Sequence, residues 1–306
     1  VQANGDTYFH AWLAADVRLG PQRAYRLACR LADAMRPLGR SAAMRADWAL
    51  AYTLFWRGRF MDAQALLTEI APERVDSAAD TGFAHVQLQL LLTAQKSWNS
   101  ALLGDRPTAL SHAATVVDFV HGDSAPLQRA YAGHALSLLH CLLDQAQDCL
   151  TWSRTAQTDA SDCGDPGLLP LAQVLEYWAG SRLHLVHDEQ RVQSALAALR
   201  QLGPAQEARG FSLYAQALFH QSPSHAATQL DSALDLNARC GLHLWDARLQ
   251  HLKARSLDAA GLLGEADRFL HMARKTAQQQ GARLFLDDMT GIESRTPALS
   301  TRELTT

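Results

Sequence analysis

The 306 residues are 48% hydrophobic and 19% charged, which excludes a disordered chain and supplies more core than one ordinary compact domain needs. A formal net charge of -3 leaves no basic footprint for nucleic acid. No apolar run approaches the roughly 18 to 20 residues of a membrane span, and no signal peptide is visible.

The first segment, TYFHAWLAADVRL, has helical periodicity and stops at Gly20-Pro21, where proline sits at the first turn of the next helix, QRAYRLACRLADAM. In AAMRADWALAYTLFWRGRF, Leu50, Leu54 and Phe55 recur at helical spacing, and Ala46, Ala49 and Ala51 allow close packing. Gly58 breaks that helix. MDAQALLTEI then starts another, with Ala63, Leu66, Leu67 and Ile70 on one face. The same pairing recurs about every 40 residues from the turn positions Gly58, Gly104, Asp144, His187, Gln221 and Gly261. Five residues after each comes a small or medium apolar residue: Ala63, Ala109, Cys149, Val192, Ala226 and Ala266. Nine residues after come Leu67, Ala113, Ser153, Leu196, Leu230 and Leu270. GDPGLLP, around Pro166 and Pro170, reads as a loop between pairs, and no segment has the composition of a strand. Neither helix of a pair can bury its apolar face alone, so the pairs must stack. The register, clearest in LFWRGRFMDAQALL and LDAAGLLGEADRFLHMA, resembles tetratricopeptide repeats. The expected fold is all-α, a right-handed α-α superhelix of about six to seven helix pairs. It fills residues 1–290, and residues 291–306 form a polar linker and the start of a further domain.

Reactive chemistry is not indicated. Phosphate-loop, dinucleotide, nucleophile-elbow and H-E-x-x-H motifs are all missing. His184 and His187 stand three apart on one expected helix, but no acidic or cysteine partner lies at a telling spacing, so no metal site is expected. Cys29, Cys141, Cys149, Cys163 and Cys240 contain no C-x-x-C pair, which favours a reducing compartment and a cytoplasmic location. Cys141 and Cys149 fall on apolar stripes and read as packed hydrophobes. No carboxylates are paired for acid–base work, and the chain is not expected to be an enzyme.

Binding is the remaining expectation. First helices of stacked pairs line the concave side of a superhelix. Here they carry Trp48, Tyr52 and Trp56, then Tyr131 and His134, Tyr177 and Trp178, Tyr214, and Trp245. Rings with polar edges suit a ligand groove, and core packing between repeats is the competing role for each. Tyr177 and Trp178 point about 100° apart on a helix, so one can be core while the other faces the groove.

The sequence PALSTRELTT contains an S-x-x-E capping box at Ser300 and Glu303, with Leu299 and Leu304 placed as a hydrophobic staple. Leu299-Ser300-Thr301-Arg302-Glu303-Leu304 resembles the opening of a LuxR-type helix-turn-helix domain. Repeats, polar linker and LSTREL in that order are similar to the junction in the large ATP-dependent LuxR-type (MalT-like) transcriptional regulators. Val1 follows no methionine, and both ends lead us to expect a piece of a longer chain. The resemblance implies a sensor or oligomerisation arm that takes a small-molecule inducer or a partner protein in its groove and can self-associate. It implies DNA contact only through a missing C-terminal domain and ATP only in a missing N-terminal module, with no cofactor in this segment and no membrane. Other repeat-containing regulators remain alternative parents. The alternative function is a free-standing scaffold that binds peptides or partner proteins, although Lys96, Lys253 and Lys275 lie too far apart in sequence for a lysine carboxylate clamp.

Overall fold

The structure is a computed structural model that describes residues 2–70, 88–122, 124–186 and 188–293. His187 and the capping-box segment Ser300–Leu304 lie outside the described residues. Among those residues every regular element is helical, and the helices form antiparallel pairs. The pairs are α1 (Gln2–Leu19) with α2 (Pro21–Met35), α3 (Arg40–Trp56) with α4 (Phe60–Glu69), and α5 (Leu88–Leu102) with α6 (Arg106–His121). They continue with α7 (Pro126–Leu142) and α8 (Ala146–Cys163), α9 (Leu168–Arg182) and α10 (Glu189–Leu202), and α11 (Pro204–Gln221) and α12 (Ala227–Cys240). The seventh described pair is α13 (Asp246–Ala259) with α14 (Leu263–Gln280), and α15 (Arg283–Glu293) follows it. The fold is a tetratricopeptide-like all-α solenoid.

Local chemistry sets the helix ends. Pro21, Pro126 and Pro204 occupy first helical positions, where a missing N–H costs nothing. Asp105 and Asp188 cap α6 and α10 by accepting from Thr108 N at 3.2 Å and Arg191 N at 3.0 Å. In five of the second helices the fourth residue is the buried packing position: Ala24, Ala63, Ala109, Cys149 and Val192 are all at most 2% exposed. Three expectations need correction. Gln221 is the last residue of α11, and a 3-10 turn (Pro223–His225) follows it. The packing register holds all the same: Ala226, Leu230 and Ala233 are buried, as Ala63, Leu67 and Ile70 are. Pro170 lies inside the first turn of α9, not in the loop. His184 sits in a turn with φ 54°, after the end of α9, and not on a helix. In addition, α15 continues through residues 291–293, which the sequence suggested were linker.

The solenoid comes round once every five pairs. The sixth pair lies against the first: α11 packs on α1, and α12 on α2. The seventh lies against the second, where His243 N donates to Trp56 O at 2.8 Å and Gln280 Nε2 to His243 O at 2.7 Å. Helix α15 packs on α5 of the third pair. The intra-pair turns of the first turn of the superhelix must therefore tolerate close approach. Gly20 (φ 90°) could not carry a Cβ, which would lie 2.6 Å from Cys240 O. At Gly58 (φ 71°) a Cβ would lie 2.5 Å from Gln280 Nε2.

Candidate functional site

Stacking places first helices on the inside, and they line a cavity of about 300 Å³. Helices α1, α3, α5, α7, α9 and α11 all contribute side chains, and Trp245, immediately before α13, adds a ring. Helix α13 crosses the C-terminal ends of inner helices: besides the His243–Trp56 bond, Arg248 Nη1 donates to Cys141 O at 3.0 Å and Leu142 O at 3.4 Å. Residues Asp165–Gly167, before α9, line the cavity as well.

One wall is aromatic because Trp48, Tyr52 and Trp56 recur every four residues on α3 and so share a face. Trp12 of α1 meets Trp48 edge-on, with ring centroids 5.6 Å apart, and Tyr52 meets Trp56 at 6.0 Å. Trp12 Nε1 donates to Thr53 Oγ1 at 2.9 Å, and Trp98 Nε1 to Ala135 O at 2.8 Å. These bonds leave the apolar faces of both rings for packing and for the cavity.

The polar groups gather at one pole. Arg209 of α11 donates through Nη2 to Asp16 Oδ2 of α1 at 2.7 Å, and both side chains are buried. The guanidinium also lies over the Trp56 ring, 4.4 Å from its centroid. Burial opposes the charge on Arg209, but Asp16 and the neighbouring tyrosines hold its pKa above the ordinary value. His134 and Tyr131 of α7 line the same cavity. Burial, reinforced by Arg209, lowers the His134 pKa to about 4, so its imidazole is neutral at pH 7. Burial pushes the Tyr131 phenol well above its usual range, and that of Tyr52 upward too. Asp16 Oδ1, Arg209 Nε and His134 Nδ1 are buried without a hydrogen-bond partner.

Six of the sequence candidates therefore converge here: Trp48, Tyr52, Trp56, Tyr131, His134 and Trp245. The other three do not line this cavity. Trp178 is core, 1% exposed and edge-on to His220. Tyr177 and Tyr214 stack loosely at 5.8 Å and both donate to Glu189 of α10, the Tyr214 bond measuring 2.9 Å. Burial and Glu189 raise the Tyr214 pKa to about 12. Tyr177 also borders a smaller cleft of about 180 Å³ with Arg154, Glu176 and Arg191.

Asp16, Arg209, Trp12 and Trp98 also line the cavity and are not among the sequence candidates. Trp12 and Trp98 carried a usable signal, since each is a ring on a first helix. Asp16 and Arg209 are 193 residues apart, and only the five-pair return brings them together. Cys141 and Cys149 are fully buried, and burial raises the Cys141 thiol far above its ordinary pKa, as expected of packed hydrophobes. Among the described residues no three His, Cys, Asp or Glu side chains are grouped to hold a metal. No described helix is long and apolar enough to cross a membrane.

No family model matches the chain, and no curated protein matches it in sequence. Among solved structures it is similar to a Rap protein complexed with competence and sporulation factor, with a TM-score of 0.65 and 10% identity over 95% of this chain and 82% of that one. At that identity the likeness concerns the fold.

Proposed function

We propose that the chain is a regulatory ligand-binding domain that takes a small molecule, or an apolar side chain of a peptide, into the central cavity. The cavity carries this reading: an aromatic and aliphatic enclosure, at the lower end of the roughly 300 to 1,000 Å³ typical of small-molecule sites, holds one cluster of polar groups. The similarity to a Rap protein crystallised with competence and sporulation factor supports the regulatory half of the proposal. The chain acts by binding, not by catalysis. Its groups make a pocket, with neither a nucleophile–base pair nor paired carboxylates at the pole.

Leu171 of α9 also lines the cavity. Leu171→Trp should fill it, reducing the affinity of any cavity ligand at least about tenfold while changing stability by less than about 1 kcal/mol. Calorimetric titration of both proteins with n-propylbenzene and its polar derivatives reads this out. Equal binding by the two proteins contradicts the site.

For the wider context we propose the sensor arm of a LuxR-type transcriptional activator, supported by the LSTREL resemblance at residues 299–304. A complete helix-turn-helix encoded beyond Thr306 is the expected result of sequencing onward, and a stop codon or unrelated domain there contradicts it.

A further inference from the structure

Resting on the cavity as a binding site, the polar pole narrows the chemistry of its occupant. Arg209 has five N–H donors, and one Nη2 bond goes to Asp16. Its Nε has no partner, and the neutral His134 ring leaves Nδ1 unpaired beside it. The Tyr131 phenol stays protonated. Among the described residues the hydroxyl of Tyr131 makes no hydrogen bond. Arg209 Nε and the Tyr131 hydroxyl are thus donors that an acceptor oxygen can satisfy, whichever tautomer His134 adopts.

Charge sets the second constraint. Asp16 and Arg209 are both buried and balance one another, so a carboxylate or ammonium placed against them would add a charge without a counter-charge. Asp165, the other charge lining the cavity, is committed to the first turn of α9, where its Oδ1 accepts from Gly167 N at 2.9 Å and Leu168 N at 2.8 Å. Asp16 Oδ1 is a buried acceptor without a partner and can take an N–H. An amide meets both demands, its carbonyl accepting from the donors and its N–H donating to Asp16. The rest of the wall, with Trp12, Trp48, Trp56 and Trp98, is complementary to a flat apolar body.

We infer that the cavity binds an uncharged molecule with an aromatic or aliphatic body and one amide group, the amide lying between Arg209, Asp16 and Tyr131.

Four probes share one body: 3-phenylpropionamide, 3-phenylpropionate, 3-phenylpropylamine and n-propylbenzene. Each is titrated calorimetrically into the full chain and into Tyr131→Phe, which keeps the ring and removes one donor. The amide should bind at least about tenfold more tightly than the acid, the amine or the headless hydrocarbon. Tyr131→Phe should weaken the amide roughly fivefold to tenfold and leave n-propylbenzene unchanged. Acid or amine binding as tightly as the amide overturns the inference, as does a Tyr131→Phe effect equal for amide and hydrocarbon. Equal affinity for all four probes overturns the amide assignment while the cavity site stands. Failure of every probe to bind overturns the cavity site itself.

Discussion

The buried ion pair between Asp16 and Arg209, 2.7 Å from Oδ2 to Nη2, fastens the first helix pair to the sixth and forms part of the cavity wall. Closure of the superhelix and the shape of the cavity therefore depend on the same two side chains. Both are desolvated, so the pair cannot be judged like a surface salt bridge.

Asp16→Asn leaves Arg209 buried without its counter-charge and should destabilise the chain by about 3 to 5 kcal/mol. Replacing both partners with apolar residues of similar volume, Asp16→Leu with Arg209→Met, should cost much less. Urea unfolding of the three variants measures this. A double variant as unstable as the single one would show that the pair does more than neutralise itself.

The return of the superhelix makes two left-handed glycines unequal. Gly164 (φ 67°) has open space around a would-be Cβ, so Gly164→Ala should cost about 1 kcal/mol, the conformational strain alone. At Gly20 (φ 90°) the same methyl runs into Cys240 O of the sixth pair. Gly20→Ala should cost at least about 2 kcal/mol because a backbone atom has to move. Equal losses in thermal unfolding would mean that the first and sixth pairs are not in close contact.

Acid should weaken the fold through three histidines. Burial comes first in lowering His134 and His251 to about 4 and His220 to about 3, with neighbouring arginines adding to each shift. These values lie below the ordinary value of 6.5, so the unfolded chain binds more protons in between. Their contribution to stability is intact above pH 6.5 and falls as pH drops toward 4, by up to about 1.4 kcal/mol per pH unit for each group. His251→Gln should flatten that slope in urea titrations from pH 7 to pH 4.5. An unchanged slope contradicts the assignment of His251 as a buried neutral group.

The repeat was legible because its signals are local: Gly58, Ala63 and Leu67 lie within ten residues and report one turn and one packing face. The inward faces of first helices followed, and with them Trp48, Tyr52, Trp56, Tyr131 and His134. Gln221 is not the turn residue it was expected to be, because α11 runs through it and a 3-10 turn at Pro223–His225 follows, yet Ala226 and Leu230 keep the packing register. The face of Tyr177 was ambiguous for another reason: Glu189, on the second helix of its pair, draws the phenol away from the central cavity. The Asp16–Arg209 pair was not legible at all. It depends on the number of pairs per superhelical turn, which small rotations between successive repeats determine.

The tryptophans can report whether the proposed cavity inside the first helices takes a ligand. Of the seven tryptophans, Trp12, Trp48, Trp56, Trp98 and Trp245 line the cavity, whereas Trp152 and Trp178 do not. The decisive measurement is a 1H–15N spectrum of the indole N–H groups during titration with 3-phenylpropionamide. Ligand binding in the cavity should give saturable shifts of the five cavity indoles, with Trp152 and Trp178 unmoved. Shifts confined to Trp152 or Trp178, or an unchanged spectrum at saturating probe, would contradict it.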